Sequence, residues 1–154
     1  MTPTFQGSGD GNGMHVGVAA SEWNQDIVDR LVEGALQRLE AAGVEEVTVV
    51  RVPGALELPL AAKKLAEHGC DAVVALGVVV KGETDHYEIV VRESARGISA
   101  VALETGVPVA NGILAVHDYS HAMDRAGSGG SNKGVEAVDA ALSTANVLRD
   151  LRSS

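Results

Sequence analysis

The run "DAVVALGVVV", residues 71–80, is the most apolar stretch of the chain. Its valines favour a strand, and the lack of polar alternation asks for burial on both faces. A strand buried on both faces belongs inside a parallel sheet covered by helices. The run stops abruptly at "KGETDHYE" (81–88), where Lys81, Gly82, Glu83, Thr84, Asp85 and His86 follow one another. Two readings of that junction are open: a strand leaving the core for a helix, or the rim of an active site.

Working outward, "HVGVAA" (15–20), "VTVVRV" (47–52) and "PVANGILAV" (108–116) read as three further strands. Between them lie helical periodicities. Ile27, Val28, Leu31, Val32, Ala35 and Leu39 recur at helical spacing, with Asn24 as the expected cap and Gly43 as the stop. A second helix is expected from about 56 to 68, with Pro59 confined to its first turn. The third is expected from 86 to 105, with Gly106 beyond its end. "SHAMDRAG" suggests a short helix, "SGGSN" (128–132) a loop, and Asn132 the cap of a last helix ending near Leu151. Alternating strand and helix is the pattern of an α/β sandwich with a parallel sheet, and right-handed crossovers put helices on both faces.

With 154 residues and 45% hydrophobic residues, the chain suits one domain with a proper core. Aromatics are only 3%, so Ala, Val, Leu and Gly must build that core, and eighteen glycines imply tight turns or close backbone approaches. The formal charge of −9 argues against general binding to nucleic acid or anionic membranes, while leaving room for a local anion site. Cys70 is the only cysteine, which excludes an intramolecular disulfide and a zinc-finger pattern. No run approaches the length of a membrane span. An intracellular, cytoplasmic protein is expected. Residues 1–14 are rich in Gly, Ser, Asp and Asn and read as a flexible arm ahead of a single domain, 15–154.

Ligands of such sheets bind beyond the carboxyl ends of the strands. That rule selects the loops 21–24, 53–57, 79–86 and 115–120. The first carries Trp23, the only tryptophan, which is either a core or interface aromatic or a stacking wall for a planar ligand. The second carries Glu57, which suits the start of a helix or accepts from ligand hydroxyls. In the third, the backbone N–H groups of a glycine turn opening a helix can hold an anion, and Thr84 adds a hydroxyl. His86 beside it can move protons near neutral pH, or be a solvated surface residue. Arg125 and Lys133 flank "AGSGGSN" and are either surface cations or phosphate contacts. His117 and His121 stand four apart, but "HDYSH" straddles a helix start, and no metal site is expected. The residues alone therefore reach a doubly wound α/β domain with a loop site for a planar, anionic or phosphate-bearing small molecule.

Several pieces together carry a resemblance: "SEWN" (21–24), "VRVPGALELPLAA" (50–62), "DAVVALGVVVKGETDHYE" (71–88), "PVANGIL" (108–114), "DRAG" (124–127) and "NKG" (132–134). In this order and spacing the chain resembles the 6,7-dimethyl-8-ribityllumazine synthase family of riboflavin biosynthesis. The resemblance implies a three-layer flavodoxin-like sandwich around a four-stranded parallel sheet. It implies a transferase that condenses 5-amino-6-(D-ribitylamino)uracil with 3,4-dihydroxy-2-butanone 4-phosphate, losing phosphate and water, without metal or organic cofactor.

By the same resemblance, Trp23 stacks on the pyrimidinedione, and Ala55, Leu56 and Glu57 line the ribityl chain. Val78, Val79 and Val80 edge the ring. Glu83 and Thr84 hold the phosphate with Arg125, Lys133 lies near it, and His86 shuttles protons. Asn111 stands where many members carry Phe, giving a more polar wall. Tyr87 also replaces a common Phe, and "LAVHDYSHAMD" departs from the usual segment. Members form pentamers, some assembling twelve into an icosahedral shell, with each site between neighbouring subunits. The short "AGSGGSNKG" connection leans toward the shell. Rival readings are a non-catalytic flavin or lumazine binder, or a shell-forming protein without activity. The presence of His86, Arg125 and Glu57 favours the enzyme.

Overall fold

Four strands, β1 (His15–Ser21), β2 (Glu46–Val52), β3 (Ala72–Val80) and β4 (Val109–Val116), form one parallel sheet in the order β2-β1-β3-β4. This computed structural model describes residues 1–127 and 131–154, so residues 128–130 of the expected 128–132 loop lie outside the described residues. The helices are α1 (Gln25–Ala41), α2 (Leu58–Glu67), α3 (His86–Thr105), α4 (Tyr119–Asp124) and α5 (Lys133–Ser153), with a 3-10 turn at Ala55–Glu57. The expected α/β sandwich is therefore what forms.

Strand periodicity divides the core in two. In β1 and β3 the residues Val16, Val18, Ala20, Val74, Leu76 and Val78 turn toward α1 and α5. Their neighbours Ala19 and Val73 turn toward α2 and α3, with Leu58, Ala62, Leu65 and Val101. Seven successive positions of β3, Ala72–Val78, are buried, which is why that stretch shows no polar alternation. Val18 pairs with Val49 on one side and Val74 on the other, placing β1 inside the sheet. The chain leaves β1 toward β2 and leaves β3 toward β4, in opposite directions across the sheet. A crevice opens where those directions diverge, outside the carboxyl ends of β1 and β3.

Two local expectations change. Asn24 occupies the cap position of α1 but makes no capping bond through its side chain. Its backbone is left-handed (φ 61°), and its Nδ2 donates to the Val78 carbonyl at 3.3 Å. It thereby braces the first loop against β3. The N-terminal segment, read from composition as a flexible arm, is attached to the domain along residues 8–14. Asn146 of α5 donates to the Ser8 and Asp10 carbonyls, each at 2.9 Å. Asn12 bridges Val44, and Met14 is buried. An apolar anchor and a long-range amide clamp offset the entropy that the glycine-rich composition would otherwise keep.

Cys70 is buried at the opposite end of the sheet, its Sγ 3.7 Å from His15 Nε2. Burial first, then the charges of Asp71 and Glu46, push its thiol up to about 11. Below pH 9 the thiol is protonated in folded and unfolded chains alike. Between pH 9 and 11 the unfolded chain releases a proton that the folded chain keeps, so stability falls as pH rises. Urea unfolding at pH 8.5 and 10.5 should show this loss, and Cys70→Ala should remove the part due to the thiol.

Candidate active site

The crevice between β1 and β3 is a cavity of about 340 Å3. Its floor is Ser21 and Val78–Val80, at the carboxyl ends of the two strands, and its walls are Trp23, Asn24, residues 54–57, His86 and Val90. Such a volume and apolar lining, with few polar groups, suit a small planar ligand.

The second wall is built by local hydrogen bonding. The N–H groups of Glu22 and Trp23 both donate to the Pro53 carbonyl at 3.1 Å, zipping the loop after β1 to the turn after β2. The Trp23 ring then lies over Gly54, where an added Cβ would fall 2.4 Å from it. Only glycine allows that approach. The ring remains 65% exposed and lines the cavity, so the reading of Trp23 as a core aromatic fails. Glu57 belongs to the 3-10 turn rather than to the first turn of α2. Its Oε1 accepts from the Gly54 N–H at 2.8 Å, which fixes the carboxylate at the cavity edge.

His86 is the first residue of α3, and its backbone N–H donates to Thr84 Oγ1 at 3.4 Å. Glu83 and Thr84 sit on the exposed loop before it, outside the set of residues that line the cavity. The Val78 carbonyl is already engaged by Asn24.

Arg125 and Lys133 are not in this cavity. They line a second one of about 590 Å3, with residues 113–117, His121 and Glu136. Asn132 lies outside that cavity but braces the turn beside it. Its Oδ1 accepts from the Gly134 N–H at 2.8 Å, and its Nδ2 donates to the carbonyls of Arg30, Ala126 and Gly127, each at 3.3 Å. The Lys133 N–H donates to the Arg125 carbonyl at 2.8 Å, so the two cations are held on adjacent turns. Lys133 Nζ lies 4.0 Å from Glu136. Asn111 lines neither cavity: it is on the outer strand β4, and its Oδ1 accepts from the Ile113 N–H at 2.9 Å.

Apart from Glu83, Thr84 and Asn111, the expected residues thus fall into two separate cavities. Trp23, Ala55, Leu56, Glu57, Val78–Val80 and His86 share one cavity, and Arg125 and Lys133 share the other. Residues 13–149 match the family model described as 6,7-dimethyl-8-ribityllumazine synthase. The chain belongs to this family. A relative of that name from Kineococcus radiotolerans is 51% identical over 142 residues, covering 91% of this chain and 88% of its own. One from Thermococcus kodakarensis is 47% identical over 149 residues, covering 96% and 95%. One from Streptomyces coelicolor is 48% identical over 140 residues, covering 90% and 87%. The matched range 13–149 spans the residues that line both cavities.

Three contributors were not singled out from the sequence as site residues. Ser21 is 1% exposed and lines the crevice floor. Its place at the end of β1 was the available signal. Asn24 has an expected role only as a cap, although it belongs to the 21–24 loop, and Val90 only as part of a helix. His117 and His121 line the cationic cavity, although their spacing had been weighed only for a metal. Among the described residues, no group of three or more His, Cys, Asp or Glu side chains is placed to hold a metal ion, and no helix is long and apolar enough to cross a membrane.

Proposed function

We propose that the chain condenses 5-amino-6-(D-ribitylamino)uracil with 3,4-dihydroxy-2-butanone 4-phosphate to 6,7-dimethyl-8-ribityllumazine, releasing phosphate and water. The observation that carries this is the convergence of an exposed tryptophan ring, a fixed carboxylate and a histidine on one crevice in a chain of this family. Trp23 stacks on the pyrimidinedione, and Val78–Val80 edge it. Ala55 and Leu56 line the ribityl chain, whose hydroxyls donate to the Glu57 oxygen not taken by Gly54. The loop at Glu83 and Thr84 faces the phosphate.

The amine attacks the ketone carbon, and water leaves to give an imine. Phosphate is then eliminated, and the ribitylamino nitrogen closes the ring on the remaining carbonyl carbon with loss of a second water. Each step moves a proton, which His86 accepts and returns. Holding two substrates in one crevice supplies much of the acceleration. Arg125 and Lys133 complete the phosphate site from a neighbouring copy, since within one chain they line a different cavity from His86. The assembly is a pentamer, and the short 126–134 connection favours the twelve-pentamer shell. Mass photometry separates the two.

The test is to mix the protein with both substrates and follow lumazine absorbance and phosphate release. A rate no higher than the spontaneous one overturns the reading and leaves a binder or a shell protein. His86→Ala is expected to lower kcat about tenfold with little change in KM. That is below a typical general acid–base contribution, because positioning is retained. A raised KM with unchanged kcat would instead make His86 a binding residue.

A further inference from the structure

Two imidazoles in the cationic cavity have no part in the scheme above. His117 follows β4, and its ring meets Tyr87 of α3 edge-on, with centroids 5.7 Å apart. His121 lies in α4, one turn before Arg125, whose Nη1 donates to the His121 carbonyl at 3.3 Å. Together with Lys133 they put four nitrogen-bearing side chains around one cavity of about 590 Å3. Glu136 is the one carboxylate among its lining residues, and it lies beside Lys133 Nζ. This concentration of potential positive charge stands out in a chain of net charge −9.

We propose that His117 and His121 belong to the anion site, and that their protonation sets how tightly it holds a phosphate-like dianion. This rests on the reading of the Arg125 cavity as the phosphate side of the active site. The charged and titratable groups around them are few. From α4 and its flanks, His121 faces Asp118 and Arg125, and from α5 it shares the cavity with Lys133 and Glu136. His117 meets Tyr87 from α3 and stands next to Asp118. The Asp118 carboxylate is occupied by the N–H and hydroxyl of Ser120, at 2.9 and 2.8 Å, which hold it below the usual carboxylate range. Histidine is the side-chain type whose charge ordinarily changes between pH 6 and 8. Attraction for a dianion is therefore strongest at the acid end and declines as pH rises.

Sulfate is the probe, because it stays a dianion over this range whereas phosphate does not. Calorimetric titration of the assembled protein at constant ionic strength should give a sulfate Kd that rises about three- to tenfold from pH 6 to pH 8, the scale of one or two screened charges near a partly exposed anion. In the double variant His117→Gln and His121→Gln the Kd should be nearly flat and close to the parent's value at pH 8. Both histidines are exposed, so the fold should survive, and circular dichroism checks this. An unchanged slope in the double variant overturns the proposal. So does a flat parent, or the absence of sulfate binding at pH 6. Catalysis is measured separately with the two substrates: activity with a flat sulfate profile sinks only this proposal, and a sloped profile without activity sinks only the enzyme.

Discussion

Arg125→Ala should lower kcat/KM for the butanone phosphate by about two to three orders of magnitude, with little change in KM for the ribitylaminouracil. A guanidinium holding a phosphate makes two charge-assisted hydrogen bonds, each of about 1.5–3 kcal/mol, and 1.36 kcal/mol is tenfold in rate. Truncation removes both bonds and leaves Lys133 as a point charge beside Glu136. Among the described residues the Arg125 side chain has one hydrogen-bond partner, the His121 carbonyl at 3.3 Å, so its loss should cost little stability. Arg125→Lys separates charge from geometry. It should recover part of the loss if charge dominates, and almost none if the planar fork is required. Steady-state kinetics with each substrate varied in turn decides the matter. An equal rise in both KM values, or a loss below about threefold, would remove Arg125 from the phosphate site.

Much of the framework that positions these residues is legible in the sequence. The central strand was read as 71–80 and is Ala72–Val80, because Asp71 and Lys81 bracket an uninterrupted apolar run. The third helix was read as 86–105 and is His86–Thr105, with Gly106 in the left-handed conformation (φ 71°) just beyond it. Both are signals of composition within a few residues. What stayed hidden depends on contacts distant along the chain. Asn24 has the right identity and position for a cap, but its amide bonds a carbonyl 54 residues away. Residues 8–14 have the composition of a flexible segment, but an asparagine 136 residues beyond Asp10 holds them. His117 and His121 were judged by their mutual spacing. Their association with Arg125 and Lys133 comes from the return of α5 alongside β4. Strand-end logic points to the crevice, but the division of these residues between two cavities is a property of three-dimensional placement.

That placement rests on one close helix contact, and Gly134→Ala should expose it by destabilising the protein by about 3 kcal/mol. Propensity alone predicts the opposite sign, since alanine is about 1 kcal/mol better than glycine inside a helix. At Gly134, however, an added Cβ would lie 2.2 Å from the Leu31 carbonyl oxygen and 2.9 Å from Asn132 Oδ1. The nearest atom is backbone, so no rotamer change relieves the clash, and α1 and α5 must separate. Gly34 meets the same junction from the other side, with its Cβ position 2.7 Å from the Asn132 amide group. Separation would stretch the Asn132 bond to Arg30 of α1, and the same amide holds the Ala126 and Gly127 carbonyls of the turn between Arg125 and Lys133. The variant should therefore lose use of the phosphate substrate even where it remains folded. Urea unfolding measures the first effect, and kinetics well below the midpoint measure the second. A midpoint equal to or above the parent's would mean that α1 and α5 do not need this contact. Lowered stability with an unchanged KM for the butanone phosphate would mean that the helix crossing and the cationic wall are independent.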